Sequence, residues 1–137
     1  MAKISWIVPV NNVLKNDNNE MVLDTPITQL SLRILPNNYS FSIAFGIIDL
    51  DSTKENIVKF SMGKQHQDSK QTFINTDFRL NQMFVNEDLD EKYKLVEFDS
   101  NININNFNFE HEGLHFIKLE IEDDSLEVYF TVVVKGV

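Results

Sequence analysis

The amino-acid sequence predicts an all-β chain, folded as a single antiparallel β-sandwich. Three observations carry that prediction. Alanine occurs only at Ala2 and Ala44, while Phe occurs 11 times and Ile and Val recur throughout. The best helix former is scarce, and β-branched and aromatic residues are abundant. Apolar and polar residues alternate at period two in segment after segment, the pattern of strands with one buried face. Clusters of Asn, Asp, Ser, Gly and Pro separate these segments at roughly 8–12-residue spacing, as in a sandwich. A closed barrel is the alternative, because alternation alone does not separate the two. At 137 residues the chain fits one domain, 1–137, with a sizeable core.

The first alternating segment runs from Ile27 to Pro36, with Leu30, Leu32 and Ile34 on one face and a turn at Pro36-Asn37-Asn38. From Tyr39 to Ile48, Tyr39, Phe41, Ile43, Phe45 and Ile47 share one face. The other face, Ser40, Ser42, Ala44 and Gly46, is small rather than charged, which invites close packing over it. Asp51 to Asn56 is a polar connection. Val58, Phe60 and Met62 form the next inward row, and Gly63 to Lys70 reads as a loop. Ile74, Thr76, Phe78 and Leu80 follow, then an acidic loop over Asn86 to Lys92. Between Leu95 and Phe109 the parity changes: Ile102 and Ile104 are even, Phe107 and Phe109 odd. A bulge at Asn105-Asn106 accounts for that. Ile117, Leu119 and Ile121 alternate with charges, a turn falls at Asp123-Asp124-Ser125, and Leu126 to Val134 closes the chain. The predicted core is Phe41, Ile43, Phe45, Phe60, Phe78, Ile117, Leu119, Val128, Phe130 and Val132.

There is no cysteine, which excludes disulfides, thiolate catalysis and Cys-based zinc sites. The N-terminal segment Met1 to Val10 has one Lys and a short apolar run stopped by Pro9, unlike a signal peptide, and no stretch has the ~18 apolar residues of a membrane span. The sequence therefore predicts a cytoplasmic protein. Net charge is −9 and uneven: Glu87 to Glu127 carries 13 acidic and three basic residues, −10, leaving +1 elsewhere. Such a segment repels phosphate backbones and anionic lipid, so neither nucleic acid nor membrane is the expected partner.

The stretch Ile102 to Phe109, then Glu112-Gly113-Leu114-His115-Phe116-Ile117-Lys118-Leu119-Glu120-Ile121, a tight turn and a Val-rich last strand resembles the end of bacterial immunoglobulin-like domains. More narrowly, it is similar to small cytosolic bacterial β-sandwich proteins of uncharacterised function. The resemblance covers the last forty-odd residues best and implies an immunoglobulin-like topology without implying an activity. His115 stands where that pattern usually has Tyr.

His111-Glu112-Gly113-Leu114-His115 matches the zinc-protease pattern H-E-x-x-H, in which both histidines bind Zn²⁺ and the glutamate is general base. That chemistry needs a helix, whereas the residues that follow alternate as a strand and Gly113 suits a turn. His111 and His115 are therefore kept only as low-ranking metal candidates. Asp49-Leu50-Asp51-Ser52-Thr53 mimics the D-x-D-x-T loop of haloacid-dehalogenase-like phosphatases, but no α/β framework surrounds it. The oxygen-rich runs Asn16 to Glu20, Glu87 to Asp90 and Asp123-Asp124 contain potential Ca²⁺ ligands without EF-hand spacing. Trp6, Tyr39, Tyr93 and Tyr129 are potential sugar-stacking aromatics.

By elimination, these features predict a non-catalytic cytoplasmic binding or interaction module with no cofactor, a phage-associated or mobile-element accessory protein being one candidate. A calcium- or carbohydrate-binding sandwich is the alternative, and a zinc metallopeptidase through His111, Glu112 and His115 ranks below it. The last strand, Leu126 to Val134, is long and free of proline, with Val132-Val133-Val134 apolar on both faces. Such an edge predicts either cover by a first-strand segment such as Ile4 to Val8 or an isologous homodimer, with the dimer preferred.

Overall fold

The computed structural model describes residues 1–80 and 95–135. Nine strands follow one another: β1 (Lys3–Lys15), β2 (Met21–Pro26), β3 (Gln29–Leu32), β4 (Asn37–Asp51), β5 (Asn56–Gln65), β6 (Lys70–Leu80), β7 (Leu95–Phe109), β8 (Gly113–Ile121) and β9 (Asp124–Val134). They form two packed sheets, of order β2-β1-β4-β7 and β3-β9-β8-β5-β6, and not a closed barrel. In immunoglobulin terms β1, β4 and β7 stand as A, B and E, and β9, β8, β5 and β6 as G, F, C and C′. The predicted acidic loop and Tyr93 lie outside the described residues.

Alternation places the core where the sequence expects it. Phe41, Ile43 and Phe45 from β4, Phe60 from β5, Ile117 and Leu119 from β8, and Phe130 and Val132 from β9 are all buried, while Phe78 and Val128 pack against them half-buried. Each fully buried side chain of this size contributes roughly 1.5–3 kcal/mol of apolar transfer. Leu30 and Leu32 also join the core, but β3 stops there and Ile34 is exposed.

Three details depart from the sequence reading. One strand pair is parallel: Gln29–Leu32 lies beside Thr131–Val134, so the edge of β9 is covered by β3 and not by Ile4 to Val8. This gives Val133 a neighbour, Ser31, and leaves Asp124 to Phe130 as the part of β9 that runs beyond β3. The β8–β9 turn falls one residue early, on Glu122-Asp123, since Ile121 pairs with Asp124. The predicted loop after Met62 is shorter, because β5 continues to Gln65.

The small face of β4 is covered as its composition suggests. A Cβ on Gly46 would lie 2.1 Å from Trp6 Nε1 and 2.7 Å from Cε2, so the indole lies directly against the bare backbone. Ala44 and Ser42 are buried in the same row.

Candidate functional site

The site is a cleft between β6 and β7, the edge strands of opposite sheets, and a β-bulge shapes each wall. On β7, Phe107 pairs with Tyr39 and Ile104 with Phe41, so Asn105 and Asn106 together oppose Ser40. Asn106 takes a positive φ of 54° and donates its N–H to Ser40 Oγ at 2.8 Å. The bulge at the predicted position shifts the side-chain parity, which turns Phe107 and Phe109 toward the opposite sheet. On β6, Met62 pairs with Ile74 and Gly63 with Thr72, which leaves Phe73 as the extra residue. A Cβ on Gly63 would come within 2.0 Å of the Gln71 carbonyl oxygen, so glycine permits the two backbones to approach there. The result brings Phe73 and Phe107 together with ring centroids 6.0 Å apart.

The crossing from β7 to β8 supplies the rest. After Phe109 the chain leaves one sheet, passes through Glu110, His111 and Glu112, and enters the other at Gly113, whose φ of +106° disfavours any side chain. The His111 ring stacks on Phe73 at 6.0 Å and 17°. Asn108 Nδ2 donates to Glu110 Oε1 at 3.1 Å. Thr72, Phe73, Phe107, Asn108, Glu110 and His111 line a cavity of about 430 Å³.

Behind Phe73 lies His115, with no exposed surface. Its ring stacks on Phe130 at 5.4 Å and meets Phe109 and Phe73 at 5.7 and 6.2 Å. Nδ1 lies 3.0 Å from the Gly113 carbonyl, to which it donates, so the neutral ring presents a bare Nε2. Among the described residues that Nε2 is the one buried side-chain polar atom without a partner. Burial holds the imidazole below its ordinary pKa; the nearby Lys64 and His111 push the same way, against the Gly113 carbonyl.

The predicted site residues separate in space or in role. His111, Glu112 and His115 do not form a helical metal motif, because Gly113 begins a strand. His111 faces Phe73, His115 enters the core, and Glu112 Oε1 accepts the Val134 N–H at 3.2 Å. Among the described residues, no group of three or more His, Asp or Glu converges as a metal site. Asp51 closes a polar turn: its Oδ1 accepts Thr53 N–H at 3.0 Å and Thr53 O–H at 2.6 Å. Asp49, with a φ of 56°, lies where the β4–β7 register shifts. Asn16 Oδ1 accepts the N–H groups of Asn18 and Glu20, tying that loop onto itself. Tyr129 donates to Glu127 at 2.6 Å and Tyr39 to Asn11 at 2.6 Å.

A second cavity, of about 410 Å³, lies at the β8–β9 hairpin and is lined by Ile57, Lys59, Glu120, Glu122, Asp123, Asp124 and Ser125. Its carboxylates are largely engaged. Asp124 accepts the Ile4 N–H at 2.7 Å, Glu122 accepts the Ala2 N–H and Lys54 at 3.3 Å each, and Glu120 pairs with Lys118 at 2.9 Å.

The sequence alone did not reveal Phe73 and Phe107 as cleft walls. The parity change at Asn105-Asn106 was a usable signal for one wall. Gly63 read as the start of a loop, and its place within β5, where it admits the β6 bulge, comes only from the fold.

The molecule is thus an immunoglobulin-like β-sandwich with an aromatic cleft at one end. No protein-family model and no curated protein matches the chain. Among solved structures it is similar to a β-glucosidase from Erythrobacter marinus, with 7% identity and a TM-score of 0.53 over 97% of this chain and 15% of that one. A β-glucosidase from Listeria innocua, solved in complex with glucose, is matched at 10% identity and a TM-score of 0.49, over 100% of this chain and 16% of that one. Likeness at this identity extends to the fold alone. Among the described residues, no helix is long and apolar enough to cross a membrane.

Proposed function

We propose that the chain is a non-catalytic binding module, acting in the cytoplasm, whose ligand enters the β6–β7 cleft. The observation that carries this reading is the pair of bulges that bring Phe73 and Phe107 from opposite sheets to 6.0 Å. Bulges concentrate where a fold re-aims side chains for a purpose, and a mixed aromatic and polar lining is the usual make-up of a ligand site. The side chains around the cavity supply rings, an amide, a hydroxyl and a carboxylate, without a nucleophile held by a base. A thermal-shift screen of a small-molecule library tests the reading. Stabilising compounds whose effect disappears in Phe73→Ala support it; stabilisation unchanged by that substitution, or none across the library, argues against it.

A second reading has its own observation. Trp6 lies against Gly46 beside the outward row Asp99, Asn101 and Asn103 on β7. Asn103 Oδ1 accepts Ser42 O–H at 2.7 Å and the Asn101 side-chain Nδ2–H at 2.9 Å, so these amides are pre-oriented. A flat indole next to fixed amides suits a neutral sugar. Quenching of Trp6 fluorescence by a glycan panel would favour this face.

A further inference from the structure

We propose that the β6–β7 cleft binds an alkylammonium group, the charged head of a choline-like molecule or of a methylated lysine; this rests on the binding-module reading and names its ligand. Three of the six lining residues carry rings, with the Phe73 centroid 6.0 Å from that of Phe107 and 6.0 Å from that of His111. Aromatic faces carry negative potential and attract a cation, more strongly where water is displaced. The one charged carboxylate on the lining is Glu110, placed by Asn108 at 3.1 Å, and the lining has neither Lys nor Arg. Of the ammonium groups near this end, Lys64 donates to the Glu112 carbonyl at 2.6 Å and Lys70 pairs with Glu127.

The choice of an alkylated head follows from hydration. A plain lysine ammonium is strongly hydrated and needs three acceptors when it leaves water. The Phe73 and Phe107 faces offer none, and Thr72, Asn108 and Glu110 carry the oxygen acceptors of the lining. A quaternary head has no N–H to leave unsatisfied, so it loses less where it meets the ring faces. The volume of about 430 Å³ falls within the range of small-ligand pockets.

Calorimetric titration of the full chain tests this. The probes are choline, a short peptide with trimethyl-lysine, and 3,3-dimethylbutanol, the neutral isostere of choline. At least one cation binds, and the alcohol binds about tenfold more weakly or not at all. Phe73→Leu, which keeps an apolar side chain without the ring, weakens the cation about tenfold at an unchanged unfolding temperature, and Glu110→Gln weakens it about threefold. Whichever cation binds more tightly identifies its source as free metabolite or modified peptide. Equal affinity for the alcohol would overturn the cation while leaving an apolar ligand for the same cleft. Binding by neither cation, or binding indifferent to both substitutions, would overturn the proposal, and the library screen would then decide the module reading separately.

Discussion

Strand β8 joins two ends of the sandwich that differ in how their polar groups are satisfied. Gly113 and Ile121 stand roughly 26 Å apart at about 3.3 Å per residue. At the Ile121 end, carboxylates are taken up by backbone and ammonium donors: Asp124 by Ile4 N–H, and Glu122 by Ala2 N–H and Lys54. At the Gly113 end, a neutral imidazole is buried among phenylalanines with Nε2 unpaired, beside an open aromatic cleft. Native folds leave few buried polar atoms without partners, and departures gather where a protein does something besides fold. The cavities are similar in volume, so size does not separate the two ends; the partnering of the polar groups beside them does.

Substitutions can sharpen or break this contrast. The largest effect is expected from Phe109→Ala, because Phe109 is 1% exposed and touches the rings of Phe41, Phe107, His115 and Phe130. Urea unfolding should report a loss of about 3–5 kcal/mol. A much smaller loss would mean that the aromatic end is loosely packed. At the other end, Asp124→Ala removes the acceptor of the Ile4 N–H and should cost about 1–2 kcal/mol by the same measurement.

His115 adds a pH dependence that belongs to the aromatic end. Its folded pKa lies below the unfolded value, so the folded state holds fewer protons. Its stabilisation is complete above about pH 6.5 and declines as pH falls below that value. His115→Phe removes this part of the stability profile and changes stability above it by about 1 kcal/mol or less, since a buried polar atom without a partner goes with it. An unaltered profile in the variant would assign the dependence elsewhere. The smallest effect falls on the exposed Lys54–Glu122 pair: Lys54→Gln should shift stability by less than about 0.5 kcal/mol.

The sequence disclosed one end better than the other. Period-two alternation located the inward rows of β4, β5, β8 and β9, and the parity change at Asn105-Asn106 located the β7 bulge, because both are local signals. Partner choice is not local. Nothing in Gln29–Leu32 indicates that it lies parallel to Thr131–Val134, and that pairing decides how β9 is covered. β1 was legible only as the possible segment Ile4 to Val8, because the register shift between Ile4 and Trp6 breaks its alternation. His111 stood out for a helical zinc motif that a strand cannot form. Its neighbour Phe73 is 38 positions earlier, on β6, while His111 lies in the crossing from β7 to β8, and only the fold joins them.

Amide chemical-shift mapping during titration with a compound that stabilises the protein tests the difference between the ends most directly. Perturbations are expected to concentrate at Thr72, Phe73, Phe107, Asn108 and His111, with Glu120 to Ser125 unmoved. Perturbations centred on the β8–β9 hairpin would contradict it.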